Sequence, residues 1–389
     1  MFSRARQQHS HSAKPKDTPF RQQRLPAWQP IMTIHSSLAI FFSIGIVFIP
    51  VGIACLASSN KVQMISVDYT DCTNEQNQKC SDIIDKDIYQ KCICHLPISI
   101  EEPIVGDVYF YYGLERFWQN LRRFVLSRDD NQLIGSLGSV SSDTTPFRSP
   151  ANSSKFYAPA GAIANSMFND SFTLHCHIKH AGTINIVRVP WSNTGIAWQT
   201  DIAYKFKNPN TFDNTVKPMY WRKSVFELDP NNPDNNGYLN QDFIVWMRTA
   251  ALPSFRKLHR ILNRSYDAEP KFMLFNDSLP SGIYNLSIYY NYPVTSFKGR
   301  KLFIISSTSW LGSKNSFLGY AYISVGGICI LTGMIFLVLH VNLNDRTEDN
   351  RLSDMKRSSQ NCSKHFYPNS GVLHCEEIDF LVSSNCTES

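Results

Sequence analysis

The sequence predicts a membrane protein in which two transmembrane helices flank a large β-rich exoplasmic domain, an α+β fold with an antiparallel, sandwich-like core. Three observations predict it. Two uncharged apolar segments lie towards the two ends of the 389-residue chain. The stretch between them carries five N-x-Ser/Thr sequons and a group of four cysteines. Within that stretch, short apolar runs are separated by clusters of turn-forming residues, which is the rhythm of strands and loops.

The first apolar segment is "SSLAIFFSIGIVFIPVGIACLA" (36–57) and the second "LGYAYISVGGICILTGMIFLVLHV" (318–341). Each meets the roughly 20 residues a helix needs to cross a hydrocarbon core. The first is too long for a cleaved signal peptide and follows a hydrophilic tail of 34 residues. The expected organisation is a tail (1–34), a transmembrane helix (35–57), the exoplasmic domain (58–316), a second transmembrane helix (317–341) and a tail (342–389).

Charge sets the orientation. Arg4, Arg6, Lys14, Lys16, Arg21 and Arg24 stand against the single acid Asp17 before the first span. The positive-inside bias keeps that tail cytosolic. A second crossing returns the other tail to the same side, where Arg346, Arg351, Lys356 and Arg357 agree. Asn152, Asn169, Asn263, Asn276 and Asn285 then lie where N-glycosylation occurs, whereas Asn361 and Asn385 should stay silent. Cys72, Cys80, Cys92 and Cys94 read as two disulfides in an oxidising lumen. A zinc site is the rival, although Cys80 and Cys92 are far from C-x-x-C spacing. A multi-pass protein of the secretory pathway follows, in the endoplasmic reticulum, Golgi, secretory vesicles or plasma membrane.

Along the domain, residues 60–96 form a polar lobe stapled by those cysteines. "VYFYY" (108–112) predicts a strand. Leu114, Phe117, Trp118, Leu121, Phe124 and Val125 recur at helical spacing, with Arg116, Arg122 and Arg123 off their face, and predict an amphipathic helix. Residues 135–154 read as an exposed loop, "GAIANSMFND" (161–170) as a place of close packing, and "DPNNPDNNG" (229–237) as a turn. In "DFIVWMRTAALPSFRKLHRIL" (242–262), the run "FIVWM" predicts a strand. Leu252, Phe255, Leu258, Ile261 and Leu262 then predict an amphipathic helix. Its stripe would pack in the core, while Arg256, Lys257 and Arg260 could meet acidic loops of a partner. Tyr284, Leu286, Ile288 and Tyr290 alternate with polar residues and predict a half-buried strand, followed by a turn at Lys298-Gly299 and another strand.

No constellation points to catalysis. "HCHIKH" places His175 and His177 on one strand face without a carboxylate nearby, so an exposed hairpin is the better reading than a metal site. Asn232, Asp234, Asn236 and Gly237 resemble a calcium loop, but Phe243 stands where the closing acid belongs. There is no Gly-rich phosphate loop, nucleophile elbow, H-E-x-x-H or D-K-T-G stretch. No cofactor is expected, and lumenal placement argues against nucleic acid.

Several long blocks carry a family resemblance: "QQRLPAWQP", "YYGLERFWQNLRRFVLSRDDNQL", "GAIANSMFND", "DNNGYLNQDFIVWMRTAALPSFRKL" and "NYPVTSFKGRKLFIISSTSWLGSKNSFLGYAYI". From about Gln22 to Val341 the chain resembles the cell cycle control protein 50 family. Its members are accessory (beta) subunits of type IV P-type ATPases, the phospholipid flippases. The resemblance implies a heterodimer with the catalytic alpha subunit, a role in its exit from the endoplasmic reticulum and in its stability, and support of aminophospholipid translocation. Contacts with the pump would fall on Trp28 in the tail, on Arg256, Lys257 and Arg260, and on span glycines such as Gly45, Gly52, Gly326, Gly327 and Gly333. It also implies nested disulfides, Cys72 with Cys94 and Cys80 with Cys92. A second family disulfide is missing, its positions held by Thr144 and Ala160, which leaves Cys176 an odd thiol, free or intermolecular. Two other classes fit the topology: a two-span ligand-gated channel subunit and an adhesion or receptor glycoprotein.

Overall fold

The computed structural model describes residues 16–26, 32–180, 183–264 and 275–364. The chain forms two compact units, one from the residues up to Gly52 and from Ala321 onward, the other Ile53–Tyr320. In chain order, helix α1 (Ile34–Asn60) leads through strand β1 (Met64–Asp68) and helix α2 (Cys80–Lys86) to β2 (Cys92–Ile100), β3 (Ile104–Val105) and β4 (Val108–Glu115). Short segments follow: α3 (Arg122–Leu126), α4 (Asp130–Leu133), β5 (Phe156–Tyr157) and α5 (Ala162–Asn165). The long hairpin of β6 (Ser171–His180) and β7 (Thr183–Arg188) comes next, then β8 (Trp191–Ser192), α6 (Gln199–Tyr204), β9 (Thr215–Val216) and α7 (Gln241–Met247). The domain closes with β10 (Phe255–Leu262), β11 (Ser278–Leu279), β12 (Gly282–Tyr290) and β13 (Arg300–Ser307), and α8 (Phe317–Lys364) ends the described chain.

Among the described residues, helices α1 and α8 are the two long enough and apolar enough to cross a bilayer. Within their unit they meet through small residues: a Cβ at Gly326 would lie 2.8 Å from Ile49 Cγ1, and one at Gly333 3.1 Å from the Phe42 ring. Such close approach is what draws helices together where lipid offers no hydrophobic gain. Edge-on ring contacts join Phe41 to Phe336 and Phe48 to Tyr322. The second helix does not stop at Val341 but continues to Lys364, because the charged segment after the apolar run contains neither Gly nor Pro to end it.

The β domain contains two larger antiparallel sheets, one in the order β1-β13-β4-β10-β8, the other β2-β12-β6-β7, besides a short antiparallel pairing of β11 with β3. Alternation dictates their faces. In β12, Tyr284, Leu286, Ile288 and Tyr290 point into the core while Ile283, Asn285, Ser287 and Tyr289 point away. Inward residues of both sheets share one core: Phe110, Phe303 and Ile305 from the first, Phe172, Leu174 and Leu286 from the second. Phe172 and Phe303 meet with ring centroids 4.9 Å apart. The sandwich-like, antiparallel core is therefore present. A separate two-stranded pairing, β5 with β9, is parallel.

Two local expectations are corrected. Residues Leu114–Val125 do not make one helix. Leu114 lies at the end of β4, Arg116 takes a positive φ of 60°, and Phe117 donates its N–H to Pro253 O. Only Arg122–Leu126 is helical. The reason is tertiary: the Phe117 ring sits within 6 Å of both Phe124 and Trp246, a junction that a continuous helix would not reach. The stretch 242–262 is also inverted, helix α7 first and strand β10 second.

Candidate functional site

The inversion of α7 and β10 decides the fate of the basic residues. Helix α7 starts because Asn240 Oδ1 accepts from the Phe243 N–H at 3.1 Å, an N-cap of the favoured type. The turn before it supplies further support: Asn240 Nδ2 donates to Asn235 O, Asn235 Oδ1 accepts from Gln241 N, and Asn235 Nδ2 donates to Asp229 Oδ2. The Asn-rich stretch that resembles a calcium loop is thus spent on capping and closing a turn.

Pro253 separates helix from strand, and β10 then pairs with β4 with a register shift between Leu258 and Arg260. Strand parity turns Lys257 and His259 inward. Lys257 is buried, and its Nζ donates to Val245 O (2.9 Å) and Trp246 O (2.8 Å) and to Arg248 O. It therefore caps the carboxyl end of α7, where a cation is favoured. Burial, with the nearby Arg248 charge, pushes its pKa down to about 7. Arg260 Nη1 lies 2.7 Å from Asp242 Oδ1, and His259 Nδ1 lies 3.5 Å from the same oxygen. Burial alone would raise the Asp242 pKa, but the Arg260 and His259 charges outweigh it and hold the carboxyl well below the usual range. Burial and Arg260 lower the His259 pKa, with Asp242 opposing. The basic edge expected to face outward is corrected here: Lys257 and Arg260 serve the interior, and only Arg256 reaches outward, with Nη2 on Ser313 Oγ at 2.7 Å and the guanidinium over the Tyr111 ring. Trp28 lies outside the described residues.

A second charged centre went unread in the sequence. Asp170 Oδ1 accepts from the Asn291 and Tyr292 N–H groups. Its Oδ2 accepts from Tyr69 OH at 2.9 Å and Lys301 Nζ at 2.7 Å. Lys301 also donates to Tyr292 O and lies over the Tyr290 ring. Burial drives the Lys301 pKa down to about 8 against the pull of Asp170. The signal was parity: in "RKLFIIS" the residue before Leu302 falls on the core face with Phe303 and Ile305.

Asp170 is the middle residue of the Asn169 sequon. Asn169 borders a cleft of about 420 Å³ whose walls include Trp221, Arg222, His259 and Arg260, and its Oδ1 is buried without a partner. Asn152 and Asn276 are exposed, and Asn263 and Asn285 half-buried, Asn285 on the outward face of β12. Cys72 is bonded to Cys94 and Cys80 to Cys92. The one candidate metal-binding group among the described residues is made of Cys72, Cys80 and Cys94, whose sulfurs those bonds occupy. Thr144 and Ala160 are buried. The loop between them is closed instead by the Gly161 N–H on Phe147 O and the Tyr157 N–H on Arg148 O, and by Gln132, which bridges Tyr157 O and Ala160 N. Cys176 is free and 2% exposed, so an intermolecular bond through it is excluded in this fold. His175 and His177 lie half-buried on the outward face of β6.

These features define a two-span membrane protein whose large β domain is held by nested disulfides and by buried ion pairs, with Lys257 and the Asp170–Lys301 pair bound up in its packing. Residues 55–346 match the model of the LEM3 (ligand-effect modulator 3) family / CDC50 family. The chain is 45% identical over 337 residues to cell cycle control protein 50A of Mus musculus, covering 84% of this chain and 89% of that protein. It is 43% identical over 352 residues to cell cycle control protein 50B of Homo sapiens, covering 86% and 96%. A more distant relative, putative ALA-interacting subunit 2 of Arabidopsis thaliana, is 32% identical over 329 residues, covering 83% and 87%. The chain belongs to the CDC50 family.

Proposed function

We propose that the chain is the non-catalytic accessory (beta) subunit of a type IV P-type ATPase, needed for that pump's exit from the endoplasmic reticulum, its stability and its aminophospholipid translocation. The observation that carries this reading is the likeness to cell cycle control protein 50A over 84% of the chain, joined to the two spans around the β domain. A relative named as an interacting subunit agrees with it. In this reading residues 58–316 are exoplasmic, 35–57 and 317–341 lie in the membrane, and 1–34 and 342–389 are cytosolic. Disulfides and sequons support that sidedness, since both need the lumen. Exposed Asn152 and Asn276 are the most accessible acceptors for glycan in this reading, while Asn169, Asn263 and Asn285 are half-buried in the folded domain.

The β domain offers a surface for the pump's lumenal loops. The loop at residues 117–121 is zipped to that at 250–253 by Asn120 Nδ2 on Ala251 O and by the Ala250 N–H on Gln119 Oε1. Together they present Trp118, Leu121 and Leu252, all more than half exposed. Exposed tryptophan ringed by apolar side chains is what interface anchors are made of. Co-expression with a type IV P-type ATPase tests the reading: a one-to-one complex should copurify, and the chain alone should keep endoplasmic-reticulum glycans. Complex glycans acquired without any ATPase, or a homotrimer that conducts ions, would overturn it.

A further inference from the structure

Trp310, between β13 and α8, is the most exposed tryptophan among the described residues, at 79%. It sits in a tight turn whose flanks Ser309 and Gly312 exchange backbone hydrogen bonds of 2.8 and 2.9 Å. Gly312 has φ +102°, a conformation that favours glycine, so the turn is built into the sequence. Its position is fixed by two ties to the last turns of α1. Ser58 Oγ donates to Ser309 Oγ at 3.2 Å, and Ser59 Oγ accepts from the Asn315 N–H at 2.9 Å. Ser58 and Ser59 follow the last apolar residues of the first span, Leu56 and Ala57, and precede the first charge, Lys61. The turn that carries the indole is therefore held beside the residues where α1 passes from apolar to charged, a short way ahead of Phe317, where α8 begins. Lys61 just after α1, Lys314 four residues past Trp310, and Phe317 and Tyr320 in the first turn of α8 are exposed as well.

An indole has an apolar body and one N–H donor. Hydrocarbon strands the donor and bulk water strands the rings, whereas the headgroup layer accommodates both. We propose that the Trp310 turn is an interfacial anchor that seats its indole in the lipid headgroup layer of the leaflet facing the β domain. The ligand is a lipid surface, and the inference requires the membrane alone, independent of any pump.

The test is tryptophan emission from the full chain in phosphatidylcholine nanodiscs, with lipids brominated either just below the headgroup or near the bilayer centre. The Trp310 contribution is the parent signal minus that of Trp310→Phe, with Trp310→Tyr as a second reference should the first fail to fold. The expected result is a drop of about two-fold or more with shallow bromine and a smaller drop with deep bromine. No quenching by either lipid overturns the proposal, and so does stronger quenching by the deep one. Repeating the measurement on the complex with a membrane partner is decisive in the same way: persistence of shallow quenching supports lipid as the occupant, and its loss there means that a protein surface covers Trp310.

Discussion

Lys301 Nζ lies 2.7 Å from Asp170 Oδ2, with both side chains wholly enclosed in the protein. Breaking such a pair is far costlier than never having built it, because the remaining charge is buried and uncompensated. Asp170→Asn should cost about 3–5 kcal/mol, while Asn169 and Ser171 stay in place and keep the sequon valid. Thermal unfolding of the full chain in detergent reads the loss, and an unchanged glycan ladder shows that it does not come from missing sugar. Lys301→Met should destabilise comparably.

The buried amine at Lys257 predicts the sign of a pH effect. Its folded pKa of about 7 lies below the ordinary lysine value of 10.5. Between those values the unfolded chain holds a proton that the folded domain has released, so stability rises with pH across the window and is flat from this group below it. Lys301 adds a rise in the same direction, starting from about 8. Denaturant unfolding at the two ends of that window should show the gain, and Lys257→Met should show less of it. The same substitution orphans carbonyls at the end of α7, a loss of about 1–3 kcal/mol.

The nested cysteines close loops of 22 and 12 residues. Replacing Cys72 and Cys94 together with Ala should remove about 3 kcal/mol. The inner pair should cost slightly less, in keeping with its shorter loop. Unfolding midpoints of the two double variants, with intact-mass counting of remaining thiols, check both the order and the pairing.

Adjacent glycines in α8 should behave differently. A Cβ at Gly326 would press on Ile49, while one at Gly327 meets nothing within 4 Å. Gly326→Val should therefore loosen the pairing of α1 with α8, and Gly327→Val should leave it alone. Oxidative cross-linking between cysteines substituted at Phe48 and Tyr322, whose rings are 5.1 Å apart, reports the difference.

The spans were legible because length and absence of charge suffice to mark them. So was β12, where four apolar residues alternate strictly, and so was the turn at Lys298, which adopts φ +52°. The segment 242–262 misled for a definite reason. "FIVWM" has the composition of a strand, yet a capping asparagine and the folded Asn-rich turn before it commit it to helix. In β10 a strand with a register shift mimics helical spacing, and its core face carries Lys257 and His259, which no hydrophobic pattern reveals. The Asp170–Lys301 pair joins residues 131 apart in sequence. Each partner's parity could be read, but not their meeting.

Helix α8 runs unbroken for 48 residues, from the first residue of the second span to Lys364. At 1.5 Å per residue, the part after Val341 is a rod of about 35 Å. A change of about 10° in the lean of the span would sweep Lys364, at the far end of the described rod, through about 6 Å. The length of the rod alone would therefore convert a small lean of the span into a several-fold larger displacement at Lys364 than at Val341.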